Sequence, residues 1–185
     1  MDRIRLTPFS RREFEKSFDT KCSPIERARR AIVRSLMGYG SAGFNGGRYF
    51  SAAAKESGSR EHEWSNYKPA LHPIVDRIDG VVVENRPAIR VMKENDSKRS
   101  LHYVDPPYVF ITRKSNNDYK HEMTDEEHEE LAEALHRLKG HVIVSGYPSK
   151  LYNRLFKNWK TRDKTARAVS NTVRIERLWI KPGRS

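Results

Sequence analysis

Apolar positions recur along the chain in two periods, and the changes between them mark its elements. Ser23-Pro24-Ile25-Glu26 opens a helix: Ser23 is placed to cap it, Pro24 fills a first-turn position where no N–H is needed, and Glu26 stands where a capping box closes. Ile25, Ala28, Ile32 and Leu36 then fall on one face, with Arg27, Arg30 and Arg34 away from it, and Gly38 ends the helix. Ser10 and Glu13 predict a shorter capped helix before it. Residues 51–64 are small, polar and charged, the composition of a mobile connector. Trp64, Tyr67, Leu71, Ile74, Val75 and Ile78 return to helical spacing. Pro69 and Pro73 interrupt that run, which predicts two short pieces or a kink, ended by Gly80.

The period then shortens. Val81-Val82-Val83 reads as a buried parallel strand, residues 87–94 as the returning helix, and Leu101-His102-Tyr103-Val104 as the next strand, one right-handed crossover in all. Residues 112–121 are polar and predict a loop that orders over a substrate. Thr124 to Glu127 form a capping box for a helix with Leu131, Leu135 and Leu138 on one face and Gly140 as its stop. His141 to Ser145 is another buried strand, and Tyr147-Pro148-Ser149 turns into a helix carrying Leu151, Leu155 and Phe156. Residues 157–170 are basic and loop-like. Val173 to Ile180 alternates as an edge strand with one wet face, on which Arg174 and Arg177 read as ordinary edge charges sooner than phosphate contacts. The predicted class is α/β, a partial Rossmann-like, doubly wound sheet with strands near 81, 101, 141 and 173, preceded by a helical segment.

Candidate chemistry sits where the strand at Leu101 stops. Asp105-Pro106-Pro107-Tyr108 ends it abruptly, because neither proline can donate to a ladder, and so a carboxylate and an aromatic ring arrive at its carboxyl end. In an open α/β sheet that end is where ligands bind. A planar ring bearing an amino group fits such a turn: the ring stacks on Tyr108, while Asp105 and a proline carbonyl accept the two amino hydrogens. Adenine has that shape. The alternative is an ordinary Pro-Pro turn with a surface aspartate and a packing tyrosine.

Composition narrows the partners. The 185 residues are enough for one domain, 36% of them are hydrophobic, and the single cysteine, Cys22, excludes an internal disulfide and cannot hold zinc by itself. No apolar run reaches membrane-spanning length and the N-terminus is charged, so the expectation is a soluble, cytoplasmic, nucleoid-associated protein. Net charge is +12, distributed unevenly: Lys+Arg against Asp+Glu is 13 to 6 over residues 1–60, 12 to 16 over 61–145 and 11 to 2 over 146–185. Basic ends folding around an acidic middle would flank Asp105 with positive surface, as a polyanion requires. Gly38 to Arg48 adds five glycines to Tyr39, Phe44 and Arg48; it lacks the spacing of a phosphate-binding turn and suits a loop that follows a nucleic-acid backbone and touches bases, or a plain flexible loop. His121, Glu122 and His128 have no metal-site spacing, and His128 among glutamates reads as exposed surface. Val144-Ser145-Gly146 is no nucleophile elbow.

The Asp-Pro-Pro-Tyr motif, followed by Val142-Ile143-Val144-Ser145-Gly146-Tyr147 and by Leu178-Trp179-Ile180-Lys181-Pro182, resembles the Dam-like adenine-specific DNA methyltransferases, particularly the short forms of phage and prophage genomes, from about Leu6 to Pro182. The resemblance implies methyl transfer from S-adenosylmethionine to the N6 amine of an adenine flipped out of double-stranded DNA, without a metal. It places catalysis on Asp105, Pro106, Pro107 and Tyr108, and the cofactor near Asp105 with Glu84 or Asn85. It places DNA binding on Arg27, Arg30, Arg34, Tyr39, Phe44 and Arg48. Residues 1–80 then correspond to a helical DNA-recognition segment and 81–185 to the C-terminal catalytic half of a methyltransferase domain. Two departures stand out. Pro87 occupies the position where the family usually carries an aspartate that reads the adenosine moiety. The glycine-lysine segment, Phe-Gly-Gly turn and acidic pair that family members place ahead of the region matching Leu6 are not in this sequence. The expectation is a split or shortened enzyme whose cofactor-binding half comes from a separate polypeptide. A non-catalytic DNA-binding remnant or subunit is the competing class, and methylation of RNA or of a protein amide shares the same chemistry.

Overall fold

The computed structural model describes residues 2–38, 49–51, 60–109, 122–167 and 173–184. The chain divides into two compact units, Met1–Val82 and Val83–Ser185.

The first unit contains helices α1 (Asp2–Arg5), α2 (Arg11–Lys16), α3 (Pro24–Met37) and α4 (Arg60–Ile78). The serine half of each cap forms, Ser10 Oγ accepting the Glu13 N–H at 3.2 Å and Ser23 Oγ that of Glu26 at 3.3 Å, but the Glu13 and Glu26 carboxylates turn to Arg29 and do not close the expected boxes. Ile4, Phe14, Val33, Met37, Trp64 and Leu71 make the core, and the Trp64 indole N–H, buried with them, donates to the Thr7 carbonyl at 3.2 Å. The buried face of α3 is only in part the one its apolar spacing predicts, for Ile32 and Leu36 pack half-buried against the core. Ile25 is 68% exposed and Ala28 is exposed, whereas Val33 and Met37 are fully buried beside a half-buried Arg29. An ion cluster turns the helix this way: Arg29 pairs with Glu13 at 2.8 Å and Glu26 at 2.7 Å and donates to Thr7 Oγ1 at 2.9 Å. The cluster, chiefly the hydrogen bond from Arg29, holds the Glu26 carboxyl down at about 2 against the opposing effect of its burial.

Helix α4 corrects a second expectation, since it runs unbroken through Pro69 and Pro73. Both prolines lie on its exposed side, where water takes the Ser65 and Pro69 carbonyls that lose a donor, while Trp64 and Leu71 hold the helix down through burial. The chain turns at Gly80, whose φ of 76° suits glycine.

The second unit orders as α5 (Ala88–Glu94), β1 (Leu101–Val104), α6 (Asp125–Arg137), β2 (His141–Gly146), α7 (Lys150–Leu155), β3 (Lys160–Arg167) and β4 (Val173–Lys181). Its sheet has the order β1-β2-β4-β3, with β1 parallel to β2 and the remaining pairs antiparallel. The register places His102, Val104, Val142, Val144 and Trp179 on one face, and there Leu131 and Leu135 of α6 and Tyr152 and Phe156 at α7 complete the core. Leu101 and Tyr103 point to the other face and are 64% and 62% exposed.

Several sequence expectations are corrected in this unit. Val81, Val82 and Val83 do not form a strand; they are irregular and 53%, 82% and 89% exposed. Three valines favour extended backbone, but a strand needs a ladder partner, and β1 stands at the sheet edge with none on its outer side among the described residues. Residues 160–167, read as loop, are strand β3: hydrogen bonding to β4 holds a polar segment that has no core face to bury. With β3 outside it, β4 lies inside the sheet and is not its edge. Helix α6 has both halves of its capping box, Thr124 with Glu127, but it ends at Arg137, before Gly140. Gly140 serves another purpose. A Cβ there would lie 2.6 Å from the Ser100 carbonyl oxygen, so glycine permits the close approach, and Asp96 secures it by accepting the Lys139 and Gly140 amides at 2.7 and 3.0 Å. His128 is only 1% exposed, because α6 turns it inward to Tyr152.

Candidate active site

Because β1 and β2 run parallel and in register, Val104 opposite Val144, their carboxyl ends deliver neighbouring residues to one edge of the sheet. Asp105 follows β1, and Ser145, Gly146 and Tyr147 finish β2 and its turn. The buried Ser145 hydroxyl donates to Asp105 Oδ1 at 2.7 Å and lies 3.3 Å from the Val104 carbonyl oxygen. That bond fixes the carboxylate through one oxygen and leaves Oδ2 without a protein partner among the described residues. Beside it the Tyr108 and Tyr147 rings meet at 4.6 Å and 69°, an edge-on contact, and the Arg174 guanidinium lies 5.1 Å from the Tyr147 ring centroid. Behind the carboxylate, Tyr152 is sealed against Phe156 and Trp179, and its hydroxyl shares a 3.0 Å hydrogen bond with His128 Nδ1. Burial, and then the negative charge of Asp105, push the Tyr152 phenol above its ordinary range, so it stays protonated as a neutral floor to the site.

A groove of about 980 Å³ opens from Asp105 between α5 and α6. Glu84, Ile89, Tyr103, Pro106 and Met123 line it. Its volume is that of a cofactor-sized site, roughly 300–1,000 Å³. Of the two residues offered for the adenosine moiety, Glu84 lines the groove and Asn85 does not. Both Glu84 oxygens already accept from Arg86, at 2.6 and 2.9 Å, and Arg86 also pairs with Glu94 at 2.8 Å. Glu94, Glu127 and Glu130 also line the groove, and Asp105 is less committed than Glu84, since only its Oδ1 has a partner among the described residues.

The other sequence-selected residues are distributed unevenly. Arg27 is exposed on α3 and has no ion-pair partner among the described residues. Arg30 pairs with Glu26 at 2.8 Å and donates to the Asp19 carbonyl at 2.6 Å, while Arg34 donates to the Ser17 carbonyl at 3.0 Å and lies over the Phe18 ring. Tyr39, Phe44 and Arg48, the polar stretch 112–121 and His121 lie outside the described residues. No group of three potential metal ligands occurs among the described residues, and no described helix is long and apolar enough to cross a membrane. Sequence reasoning passed over Ser145 and Arg174 as parts of this site. The parallel pairing that brings Ser145 to Asp105 had a signal, two apolar strands each closing on a proline-containing turn with tyrosine, Asp105-Pro106-Pro107-Tyr108 and Gly146-Tyr147-Pro148.

The α/β sheet thus presents a half-held carboxylate and two contacting tyrosine rings at the carboxyl ends of its parallel strands. The family model of the D12 class N6 adenine-specific DNA methyltransferases matches residues 41–174, and the chain belongs to that family. No curated protein matches the chain.

Proposed function

We propose that this chain methylates the N6 amine of an adenine extruded from duplex DNA, with S-adenosylmethionine as donor. The observation that carries the reading is the Asp105 carboxylate, which lines the groove, is tethered through Oδ1 to Ser145 and keeps Oδ2 without a partner among the described residues. An amine conjugated to a purine is a poor nucleophile because its lone pair is spread into the ring. Asp105 Oδ2 and the Pro106 carbonyl oxygen accept its two hydrogens, which draws the lone pair out of the ring and directs it away from them. Tyr108, braced by Tyr147, stacks on the base and offsets the stacking lost on extrusion, roughly 1–3 kcal/mol. The donor supplies an electrophilic methyl group; of the five carboxylates lining the groove, Glu84 and Asp105 are the ones that would hold it. Catalysis on this account is positioning and electrostatics.

In this reading the sheet is part of a Rossmann-like, doubly wound domain, with residues 81–185 its catalytic half and residues 1–80 the recognition segment, where Arg27 is exposed and has no ion-pair partner among the described residues. A separate polypeptide adds the cofactor-binding strands along β1. The outer edge of β1, without a partner among the described residues, and the exposed Leu101 and Tyr103 support this, since parallel strands are ordinarily covered on both faces. The test is incorporation of labelled methyl groups from S-adenosylmethionine into genomic DNA free of N6-methyladenine, together with calorimetric titration of the donor. The purified chain is expected to bind the donor weakly and to turn over little. Robust turnover by the chain alone, abolished in Asp105→Ala, would refute the need for a partner and uphold the chemistry; robust turnover retained in Asp105→Ala refutes the assigned site.

A further inference from the structure

We propose that one face of the β3–β4 hairpin is a contact surface for the DNA backbone, distinct from helix α3; this rests on the functional reading above. Direct pairing of Arg162 with Leu178, Lys164 with Glu176 and Ala166 with Arg174, together with strand alternation, sets Lys160, Arg162, Lys164 and Arg174 on the face opposite Trp179. The acids do not neutralise them. Asp163 lies on the other face, where Arg177 grips both its oxygens at 2.6 and 2.7 Å. Glu176 alone shares the cationic face, and none of the four cations is ion-paired among the described residues.

A solvated charged surface on this same unit looks different. At α5, Arg86 and Arg90 are both tied to Glu94, and Arg86 also to Glu84, while Lys93 alone of that helix's cations has no acid partner among the described residues. The hairpin instead keeps a row of cations with no acid partner among the described residues, with successive same-face side chains on β3 about 6.6–6.8 Å apart in extended backbone. The row also leads to the site. Arg174 lies over Tyr147, and Tyr147 meets Tyr108, so cations that engage phosphates end beside the rings that receive the base. A two-stranded ribbon is of a size to lie along duplex DNA, and phosphate contacts of this kind fix position without reading sequence.

The test is the salt dependence of duplex DNA binding by the full chain. Each phosphate contact contributes about 0.9 to the slope of log affinity against log salt. The triple variant Lys160→Ala, Arg162→Ala, Lys164→Ala is expected to lower that slope by about 2 to 3 and to keep the wild-type melting temperature, since all three side chains are exposed. The control, Lys98→Ala with Arg99→Ala, alters the turn before β1, at the opposite end of that strand from Asp105, and is expected to leave the slope unchanged. A triple variant with the wild-type slope overturns the proposal, as does a control that loses as much. The preference for an unpaired adenine over other unpaired bases, measured in the same titrations, reports separately on the adenine site. Its loss in the wild-type chain with the hairpin effect intact would count against that site and not against the hairpin.

Discussion

Glu26 holds the first unit together through charge that the periodicity of α3 conceals. Its carboxylate accepts from Arg29 and Arg30 and sits beside Glu13 and Thr7 in a mostly buried cluster. Its folded pKa of about 2 lies below the ordinary value of 4.5, so the stabilisation is complete above pH 4.5 and is lost as pH falls from there toward 2. Glu26→Gln is expected to cost about 1–3 kcal/mol in urea unfolding at pH 7, with the difference from wild type closing as the pH approaches 2. A gap that persists unchanged at pH 2 contradicts the ion-pair account. At this scale Asp105 and Tyr108 were legible because two prolines force the strand to stop at them. Ser145 was not, because its importance lies in a register between strands 40 residues apart in sequence. The inward turn of His128 was hidden for a related reason: its glutamate neighbours describe the helix exterior, and only the position of Tyr152 draws the ring in.

Elements were readable where one local rule decides and unreadable where a partner decides. The side-chain caps of Ser10, Ser23 and Thr124 are local chemistry and form as written, as does the His141–Gly146 strand with its apolar run. Val81–Val83 and Lys160–Arg167 exchange their expected states because ladder partners, and not propensity, settle strands: β4 is available to the basic segment, and nothing described pairs with the valines. Gly140 shows the same dependence on tertiary contact, since its small size is needed against Ser100 and not at a helix end. Gly140→Ala is therefore expected to destabilise the second unit by about 1–3 kcal/mol, because the obstacle is a backbone carbonyl that cannot rotate away. Unchanged denaturant unfolding would mean that the approach between the turn at Ser100 and the start of β2 is looser than 2.6 Å implies.

For the molecule as a whole, the charge asymmetry divides into cations tied to acids or carbonyls and cations with no acid partner among the described residues. Arg29, Arg30 and Arg34 serve the interior of the first unit, whereas Arg27 and the hairpin row remain available to a polyanion. Counting arginines along the chain could not separate the two groups, because pairing is fixed only on folding. The same holds for the sheet, where no periodicity announces that β1 has no outer partner among the described residues.

The central claim is that Asp105 and Tyr108 capture an adenine outside the helix, and the most direct measurement is DNA affinity with each of the four bases placed opposite an abasic position, against fully paired duplex. An unpaired base spares the protein a few kcal/mol of unpairing, so adenine opposite the gap is expected to bind about ten- to a hundredfold more tightly than paired DNA, with little gain for the other three bases, and Asp105→Ala is expected to erase the difference. Equal affinity for all four bases, or an adenine preference that survives Asp105→Ala, contradicts the account.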